Sequence, residues 1–313
     1  MDYTSAELIT TLILRTQLAQ SPNKFMPADF ITMFNYELQD NIVPKISALN
    51  EEYLIDDMWF VTVPGQDTYP LPPRCRGLKL RDLRLVAAKV IQDTPNYIGV
   101  GRITPEDIAG GNYYNAYYRG QQHYYEGNNL KLYPTPVVAQ QYSMLYLRQP
   151  NDLCLTSDAG QVTSINPVTN SIVASVPRTW KVGQLVDVVS AQPPFTLNAQ
   201  NVAITSISSP TIVLSSVAGI QVGDWISLAG TSPIPMIPLA CRNSLIQAAA
   251  IRILESIGDA TRLKSTVEIY EQNLEAMELA LCPRTEGETL HVSTDGVGID
   301  DLQAATQRNP FLL

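Results

Sequence analysis

The spacing of apolar residues changes along the chain, and each change predicts a different kind of element. Near the N-terminus, Leu8 and Leu12 repeat at helical spacing directly after Thr4 and Glu7, which match a capping-box pattern. This arrangement predicts an amphipathic helix over about residues 5–20, ended by the segment SPNK.

A second amphipathic helix is predicted to begin at Pro27, a residue well suited to the first turn of a helix. Apolar side chains follow at three- and four-residue intervals as far as Leu49. Pro44 lies inside this run and is predicted to bend or restart the helix, because proline lacks the N–H that an interior position donates. Both N-terminal helices therefore have an apolar face that needs a partner elsewhere in the chain.

From Trp59 onward apolar and polar residues alternate, which is typical of half-buried β-strands. The segments WFVTV and TYPLP flank a turn sequence at Pro64–Asp67 and together predict a β-hairpin. Leucines then alternate in two registers, with the change of register predicted near Asp82. They are Leu78 and Leu80 before the change, and Leu83 and Leu85 after it.

A short helical turn is predicted at ITPEDIAG, with Thr104 as its cap and Pro105 at its first position. The segment QHYYEGNNLKLYPTP then predicts two strands joined by an E-G-N-N turn, and QYSMLYLRQP predicts a third strand. These three strands are expected to form a small antiparallel meander.

Two stretches repeat nearly the same pattern about 40 residues apart, TSINPVTNSIVASVPRTWKVGQLVDVVS from residue 163 and TSISSPTIVLSSVAGIQVGDWISLAG from residue 205. Three phrases align in order once a gap of two residues is allowed. They are Thr163–Ile165 with Thr205–Ile207, Ile172–Val173 with Ile212–Val213, and Val182–Gly183 with Val222–Gly223. The alternative explanation is that V-G turns are ordinary turn chemistry recurring by chance.

Each copy of the repeat predicts about three short strands, since β-branched runs are separated by Gly, Pro and Asn turns. One copy alone would leave its apolar face in water. Two copies packed together are expected to close a small barrel or sandwich over residues 157–232.

The helical period returns after the segment SPIPMIP. Apolar residues mark one helix as far as Gly258, a residue suited to end it, and a heptad spacing marks a second helix. The first set is Leu239, Ile246, Ala250, Ile253 and Ile257, and the second is Leu263, Val267, Tyr270, Leu274, Met277 and Leu281. Three consecutive alanines, 248–250, would let another helix approach closely. The helical pair is therefore expected to pack on the N-terminal pair.

The expected fold is α+β, with a helical bundle made from both ends of the chain. Residues 1–156 and 233–283 are predicted to form this bundle together with the meander, and residues 157–232 an inserted, duplicated β-barrel or sandwich domain. From residue 284 the chain is polar, rich in Gly and Asp, and without any apolar period. Residues 284–313 are therefore predicted to be a flexible, extended C-terminal arm.

Composition favours a packed protein that neither coats nucleic acid nor crosses a membrane. Hydrophobic residues make up 45% of the 313 residues, and the formal net charge is −9. Binding nucleic acid over a whole surface needs clustered Lys and Arg, which this balance argues against. The segment LITTLIL is too short for a membrane span.

The four cysteines, Cys75, Cys154, Cys241 and Cys282, are far apart and predict free thiols, with disulfides as the alternative.

No pattern of an enzyme or of a metal site is present in the sequence. Gly99–Gly101 lacks the third glycine and the following helix of a dinucleotide fingerprint. The two histidines, His123 and His291, and the isolated cysteines do not have the spacing of zinc ligands. The chain is therefore expected to be a non-enzymatic protein without cofactor, and His123 to be a strand residue.

Two features do suggest contacts with partners. The first, a basic strip in RCRGLKLRDLR, comprises Arg74, Arg76, Lys79, Arg81 and Arg84. It is predicted to contact an acidic partner surface or DNA phosphates, the alternative being a solvated strand edge that discourages aggregation. The second is a tyrosine run, which suits an interface or packing on the sheet. It comprises Tyr113, Tyr114, Tyr117, Tyr118, Tyr124 and Tyr125.

The segments HYYEGNNLKLYPTPVVAQQYSMLYLRQPNDL and FVTVPGQDTYPLPPRCRGLKLRDLRL resemble those of head–tail adaptor (connector) proteins of tailed bacteriophages. The resemblance covers about residues 1–155 and extends, more weakly, to the helical hairpin at 237–283. It lies in a pattern of strands and turns, and the repeated β segment departs from the compact members of that family.

The resemblance implies a structural protein of the virion neck, assembled in the host cytoplasm. It implies a ring, usually of twelve neighbouring copies, bound beneath the portal protein of the capsid and presenting a surface to a downstream tail or nozzle protein. DNA would pass through the ring channel without sequence-specific binding. The acidic composition agrees, because like charge removes the phosphate contacts that otherwise dominate DNA binding.

The predicted arm is expected to bind the portal, the alternative being a disordered tail with no partner. Its scattered apolar side chains suit shallow pockets or strand addition on a partner, and NPFLL suits an anchoring plug. They are Leu290, Val292, Ile299, Leu302, Phe311, Leu312 and Leu313. The alternative function is a binding module of a phage or cell-surface protein, whose β domain would bind carbohydrate or protein through exposed aromatics such as Trp180 and Trp225. Both lie next to the V-G turns, where core packing is at least as well favoured.

Overall fold

The computed structural model describes residues 3–18, 25–72, 74–91, 94–109, 121–175 and 177–282. It contains both helices and strands, which confirms the α+β class. The helices are α1 (Ser5–Thr16), α2 (Pro27–Glu37), α3 (Val43–Leu49), α4 (Pro105–Ala109), α5 (Arg242–Ile257) and α6 (Ala260–Leu281). The predicted arm, with all seven of its apolar candidate residues, lies outside the described residues.

The strands form two open sheets, a closed barrel and one short parallel pair. Those of the open sheets are β1 (Ile55–Val61), β2 (Thr68–Pro70), β3 (Cys75–Ile91), β4 (Thr94–Gly99), β5 (Gly101–Arg102), β6 (Gln122–Glu126), β7 (Asn129–Tyr133) and β8 (Gln141–Arg148). The remaining strands are β9 (Asp152–Leu153), β10 (Gly160–Asn166), β11 (Ser171–Ala174), β12 (Leu185–Val189), β13 (Leu197–Ser208), β14 (Thr211–Leu214), β15 (Trp225–Leu228) and β16 (Thr231–Ser232).

Helices from both ends of the chain share one hydrophobic core. Leu12 of α1, Phe34 of α2 and Ile253 of α5 are each fully buried in it. The three alanines of α5 are buried where α1 and α2 approach. α6 packs against α5, and its heptad residues Leu274, Met277 and Leu281 join the core. α5 ends at Gly258, which adopts a left-handed conformation with φ of 81° as predicted.

The start and the end of α1 differ from the prediction. The Thr4 side chain makes no capping hydrogen bond. Glu7 is instead 3.1 Å from Arg242 of α5, so its carboxylate serves a tertiary ion pair rather than the capping box. The helix stops at Thr16 because Gln17 takes a left-handed conformation with φ of 51°.

Pro44 restarts the second helix, as predicted. A π-helical turn spans Leu38–Ile42 between α2 and α3, and the Val43 N–H donates to the Leu38 carbonyl five residues earlier. Pro44 has no N–H to donate to the carbonyl four residues before it, so the helix widens by one residue here. The wider turn keeps Leu38, Ile42 and Ile46 buried in the same core.

The segment after α3 forms two four-stranded sheets that face each other. One sheet has the order β1-β8-β3-β4, and the other β2-β7-β6-β5. Their shared core includes Tyr69 and Leu130 from one sheet and Leu83, Tyr142 and Met144 from the other. The predicted change of register occurs in β3, where pairing with β8 shifts between Leu80 and Asp82.

Two predicted strand pairings are wrong. β1 and β2 do not form a hairpin, because the turn at Pro64–Asp67 carries the chain from one sheet to the other. The buried Tyr69 holds this turn: its hydroxyl donates to the Gln66 carbonyl at 2.9 Å and accepts from the Val63 N–H at 3.0 Å. β6 and β7 do pair as a hairpin, but β8 crosses to the other sheet, so the three strands are not one meander.

The repeat forms a closed barrel with the order β10-β11-β14-β13-β12-β15. Each copy contributes three strands, and buried residues of both copies line one core. Equivalent residues of the copies pair with each other across two ribbons, Ile172 with Ile212 and Asp187 with Ser227. The copies are thus related by an internal pseudo-twofold axis. The two-residue gap falls in the β10–β11 turn, which is longer than the β13–β14 turn.

The barrel packs against the helical core through buried side chains, in addition to its covalent connections. Phe195, in the β12–β13 loop, is 2% exposed and stacks on Tyr3 with ring centroids 4.8 Å apart. The strands β9 and β16, at the entrance and exit of the barrel, pair in parallel. No helix in the described residues combines the length and apolar character that crossing a membrane requires.

Candidate partner-binding surfaces

The described residues contain no group of three or more His, Cys, Asp or Glu side chains that could hold a metal ion. His123 is 6% exposed in β6, and burial, as the largest cause, lowers its pKa, so the imidazole is neutral. The four cysteines are free. Burial raises the pKa of Cys241 to about 12, which keeps its thiol protonated and unreactive. His291 lies outside the described residues.

Arg74 of the basic strip binds inside the chain. Its guanidinium donates hydrogen bonds to the carbonyls of Gln149, Pro150 and Gly230, and its Nη2 lies 3.2 Å from Asp152 Oδ1. These partners come from the end of β8, from β9 and from the exit of the barrel. Arg74 therefore fastens the barrel to the first sheet and is not available to a partner.

Two other members of the strip, Arg81 and Arg84, each lie beside acidic side chains. Arg81 lies 3.8 Å from both Glu51 and Glu52, and its side chain is 45% exposed. Arg84 Nε donates to Asp82 at 2.7 Å, and its guanidinium lies over the Tyr97 ring at 5.5 Å. The side chains of Arg76 and Lys79 lie outside the part that the structure describes. Contact with an acidic partner stays a prediction, carried chiefly by Arg81.

The outer face of the first sheet is an aromatic surface that sequence reasoning missed. Trp59 is 43% exposed and lies 6.2 Å from Tyr97, centroid to centroid, with Val61 exposed beside it. Asp57 fixes the indole by accepting from Trp59 Nε1 at 2.7 Å and from Ser143 Oγ at 2.6 Å. An exposed, preorganised tryptophan next to Tyr and Arg has the composition of interface hot spots. The alternation Asp57, Trp59, Val61 in the sequence was the available signal.

The aromatic residues singled out from the sequence do not form a carbohydrate platform on the barrel. Trp180 is 6% exposed and belongs to the barrel core, while Trp225 is half-buried against the helical core. Core packing, the alternative for both residues, is therefore correct for Trp180, and Trp225 is only partly exposed. Tyr125 packs against the core of the sheets with Arg102 over its ring at 5.1 Å. Tyr124 is half-buried in the same strand, and the other four tyrosines lie outside the described residues.

A cleft of about 390 Å³ opens where the β12–β13 loop of the barrel meets the start of β1. Tyr53, Phe195 and Met236 line it, and Arg148 lies in its wall. Arg148 is 6% exposed, donates to Asn151 Oδ1 at 2.8 Å and lies 3.8 Å from Asp56. Asn151 in turn donates to Asp187 of the barrel, so Arg148 belongs to a chain of polar contacts between the barrel and the first sheet. The cleft therefore lies where the barrel meets that sheet.

A model of the SU10 adaptor protein family matches residues 3–181, which is more than half of the chain. The match covers α1–α3, both open sheets and the beginning of the barrel. No curated protein matches the chain.

Proposed function

The chain belongs to the SU10 adaptor protein family, and from this premise we propose that it is a head–tail adaptor that forms a ring beneath the portal of a tailed phage. Membership in this family indicates a structural adaptor of a phage particle, which contacts other phage structural proteins. The family match over residues 3–181 is the observation that carries the proposal.

The arrangement of the described residues agrees with a structural role. The two sheets and the barrel pack on the helical core through buried contacts and ion pairs. Such packing suits a structural protein that holds other proteins in place. A net charge of −9 would let DNA pass through the ring channel without sticking to phosphate-binding side chains. In the proposed ring, usually of twelve copies, one side binds the portal and the other a downstream tail or nozzle protein.

The arm at 284–313 is proposed to bind the portal. Its apolar side chains, among them Leu290 and Leu302, are spaced for strand addition or shallow pockets on a partner, as is the segment Phe311–Leu313. A small net gain from each arm becomes strong when it is repeated around a ring, because each bound copy raises the effective concentration of the next.

Binding to purified portal rings tests the proposal. The full chain is expected to co-sediment with portal and to add one ring of density in cryo-EM images. A chain truncated before Arg284 is expected to keep its circular dichroism spectrum and to lose portal binding. A triple variant F311A/L312A/L313A should weaken binding, while the matched control T285A/T289A/T294A in the same arm should not.

The two parts of the proposal fail separately. A full chain that never joins portal would contradict the adaptor function. Full binding by the truncated chain would contradict only the role of the arm.

A further inference from the structure

An open groove of about 450 Å³ lies between α1, α5 and α6. Two arginines and several neutral amides line it: Arg15, Gln17, Asn243, Gln247, Arg262 and Asn273. We call this surface the arginine groove. It is a basic surface on a chain whose net charge is −9.

The positive charge of the groove is only partly compensated. Arg15 donates to Gln247 Oε1 at 3.0 Å and to Asn243 Oδ1 at 2.9 Å, and both acceptors are neutral. In the described part of the chain, no carboxylate lies within 4.0 Å of Arg15. Burial, followed by the nearby Arg242, lowers the pKa of Arg15. Among the described residues, Arg262 has one carboxylate within 4.0 Å, that of Asp259 at 3.4 Å. An added anion would therefore be favourable in this groove.

The same helix carries the complementary charge on another side. Glu268, Glu271, Glu275 and Glu278 of α6 follow one another at intervals of three, four and three residues, so they form one acidic stripe. All four are exposed, and none has a cation within 4.0 Å among the residues that the structure describes. At about 100° of rotation per residue, this stripe lies on a different side of α6 from Arg262 and Asn273.

We propose that the arginine groove of one copy receives the acidic stripe of the next copy, and that this contact sets the order of subunits in the ring. The inference rests on the proposed ring function and names the contact between neighbours. Two different surfaces that bind each other make a heterologous interface, the kind that closes into a ring when the rotation permits. Because α6 carries the stripe and one wall of the groove, a single rigid helix fixes the angle between the two contacts.

Contact between the arginine groove and the acidic stripe would also reduce the electrostatic repulsion between neighbouring acidic copies. Copies with a net charge of −9 repel each other, and pairing arginines with glutamates at the contact offsets this repulsion locally. Each exposed pair contributes little, about 0.2–1 kcal/mol. Several pairs repeated around a ring add up, and salt is expected to weaken them.

Charge exchange tests the contact on the full chain in the presence of portal. A groove variant, R15E/R262E, and a stripe variant, E271K/E275K, should each need at least about tenfold more protein for half-maximal ring formation. An equimolar mixture should recover assembly, since each acidic groove then meets a basic stripe and each basic groove an acidic one. The matched control R178E/K181E makes the same charge change at exposed positions of the barrel and should assemble like the unmodified chain.

The outcomes are distinguishable. Wild-type chain that forms no ring with or without portal contradicts the proposed function itself. If wild-type chain forms rings, unchanged assembly of either single variant overturns the groove–stripe contact, and so does a mixture that fails to recover. The stripe variant alters only exposed side chains, so circular dichroism should confirm that it is folded even if the groove variant is not.

Discussion

At the scale of residues, one buried carboxylate joins the barrel to the rest of the chain. Asp187 is 1% exposed and accepts from the Asn201 N–H at 2.9 Å and the Gly230 N–H at 2.8 Å. It also accepts from Asn151 Nδ2, at 2.9 Å, on the segment that enters the barrel. Its equivalent in the second copy is Ser227, which donates to the Thr231 carbonyl instead. The two copies of the repeat have therefore diverged at the position where Asp187 connects the barrel to the segment that enters it.

Replacing Asp187 by alanine should lower the free energy of unfolding by about 3 kcal/mol, because buried N–H donors lose their charged acceptor. Chemical denaturation followed by tryptophan fluorescence measures this loss. The matched control is Asp158→Ala, at an exposed position, which should change the free energy by less than about 0.5 kcal/mol. Equal values for the two variants would show that the Asp187 network contributes nothing.

At the scale of elements, the two V-G turns of the barrel have the same construction. The Gly183 N–H donates to the Ile204 carbonyl at 2.8 Å, and the Gly223 N–H donates to the Val162 carbonyl at 2.7 Å. Each turn thus holds the first strand of the other copy. Both glycines adopt positive φ, 88° and 99°. This exchange of partners explains why one copy alone could not complete the barrel.

Alanine at Gly183 or at Gly223 should destabilise the protein by nearly the same amount, about 1–2 kcal/mol, because an L side chain is strained at positive φ. Neither added Cβ meets an atom within 4 Å, so the cost comes from the backbone alone. Gly99→Ala is the control, since Gly99 has equal space and no positive φ. Equilibrium unfolding of the three variants gives the comparison, and a Gly99 variant as unstable as the others would contradict this account.

At the scale of the whole molecule, the two ends of the barrel segment lie side by side. The Cys154 N–H donates to the Ser232 carbonyl at 2.9 Å, and β9 pairs with β16. A short linker could therefore span the gap that a deletion would leave. The barrel nevertheless supplies Phe195 to the helical core, so its removal also takes a buried ring away from Tyr3.

Replacing residues 157–230 by a short Gly/Ser linker should leave the helical circular dichroism signal intact while lowering the melting temperature. The reason is that the helical core keeps its own residues but loses the Phe195 side chain. Phe195→Ala in the full chain is the matched control and should cost about 3 kcal/mol. Loss of the helical signal after the deletion would show that the barrel is integral to the core.

Elements whose evidence lies in neighbouring residues were predicted well from the sequence. The end of α5 at Gly258 and the restart at Pro44 follow from local backbone chemistry. The shift in β3 at Asp82 follows from the exchange of buried and exposed faces along one strand. In each case the cause and the consequence are a few residues apart.

Features that depend on distant residues were not predictable in this way. The turn at Pro64–Asp67 has the composition of a hairpin, yet each flanking strand pairs with another strand far along the chain. Arg74 and Arg84 stand close together in the sequence, yet one binds carbonyls at the barrel exit and the other an aspartate two residues away. Trp59 is exposed and Trp180 is buried, although both follow polar segments.

The sequence by itself determined the kinds of elements, the duplication and the acidic character of this protein, because periodicity, internal repeats and charge are properties of the chain alone. Only the tertiary structure decided which strands pair, how the barrel closes, and which charged side chains remain free for partners. Those outcomes depend on contacts between residues that are distant along the chain, such as Asp187 with Asn151 and Glu7 with Arg242. The arginine groove and the acidic stripe become visible only when α1, α5 and α6 are packed together.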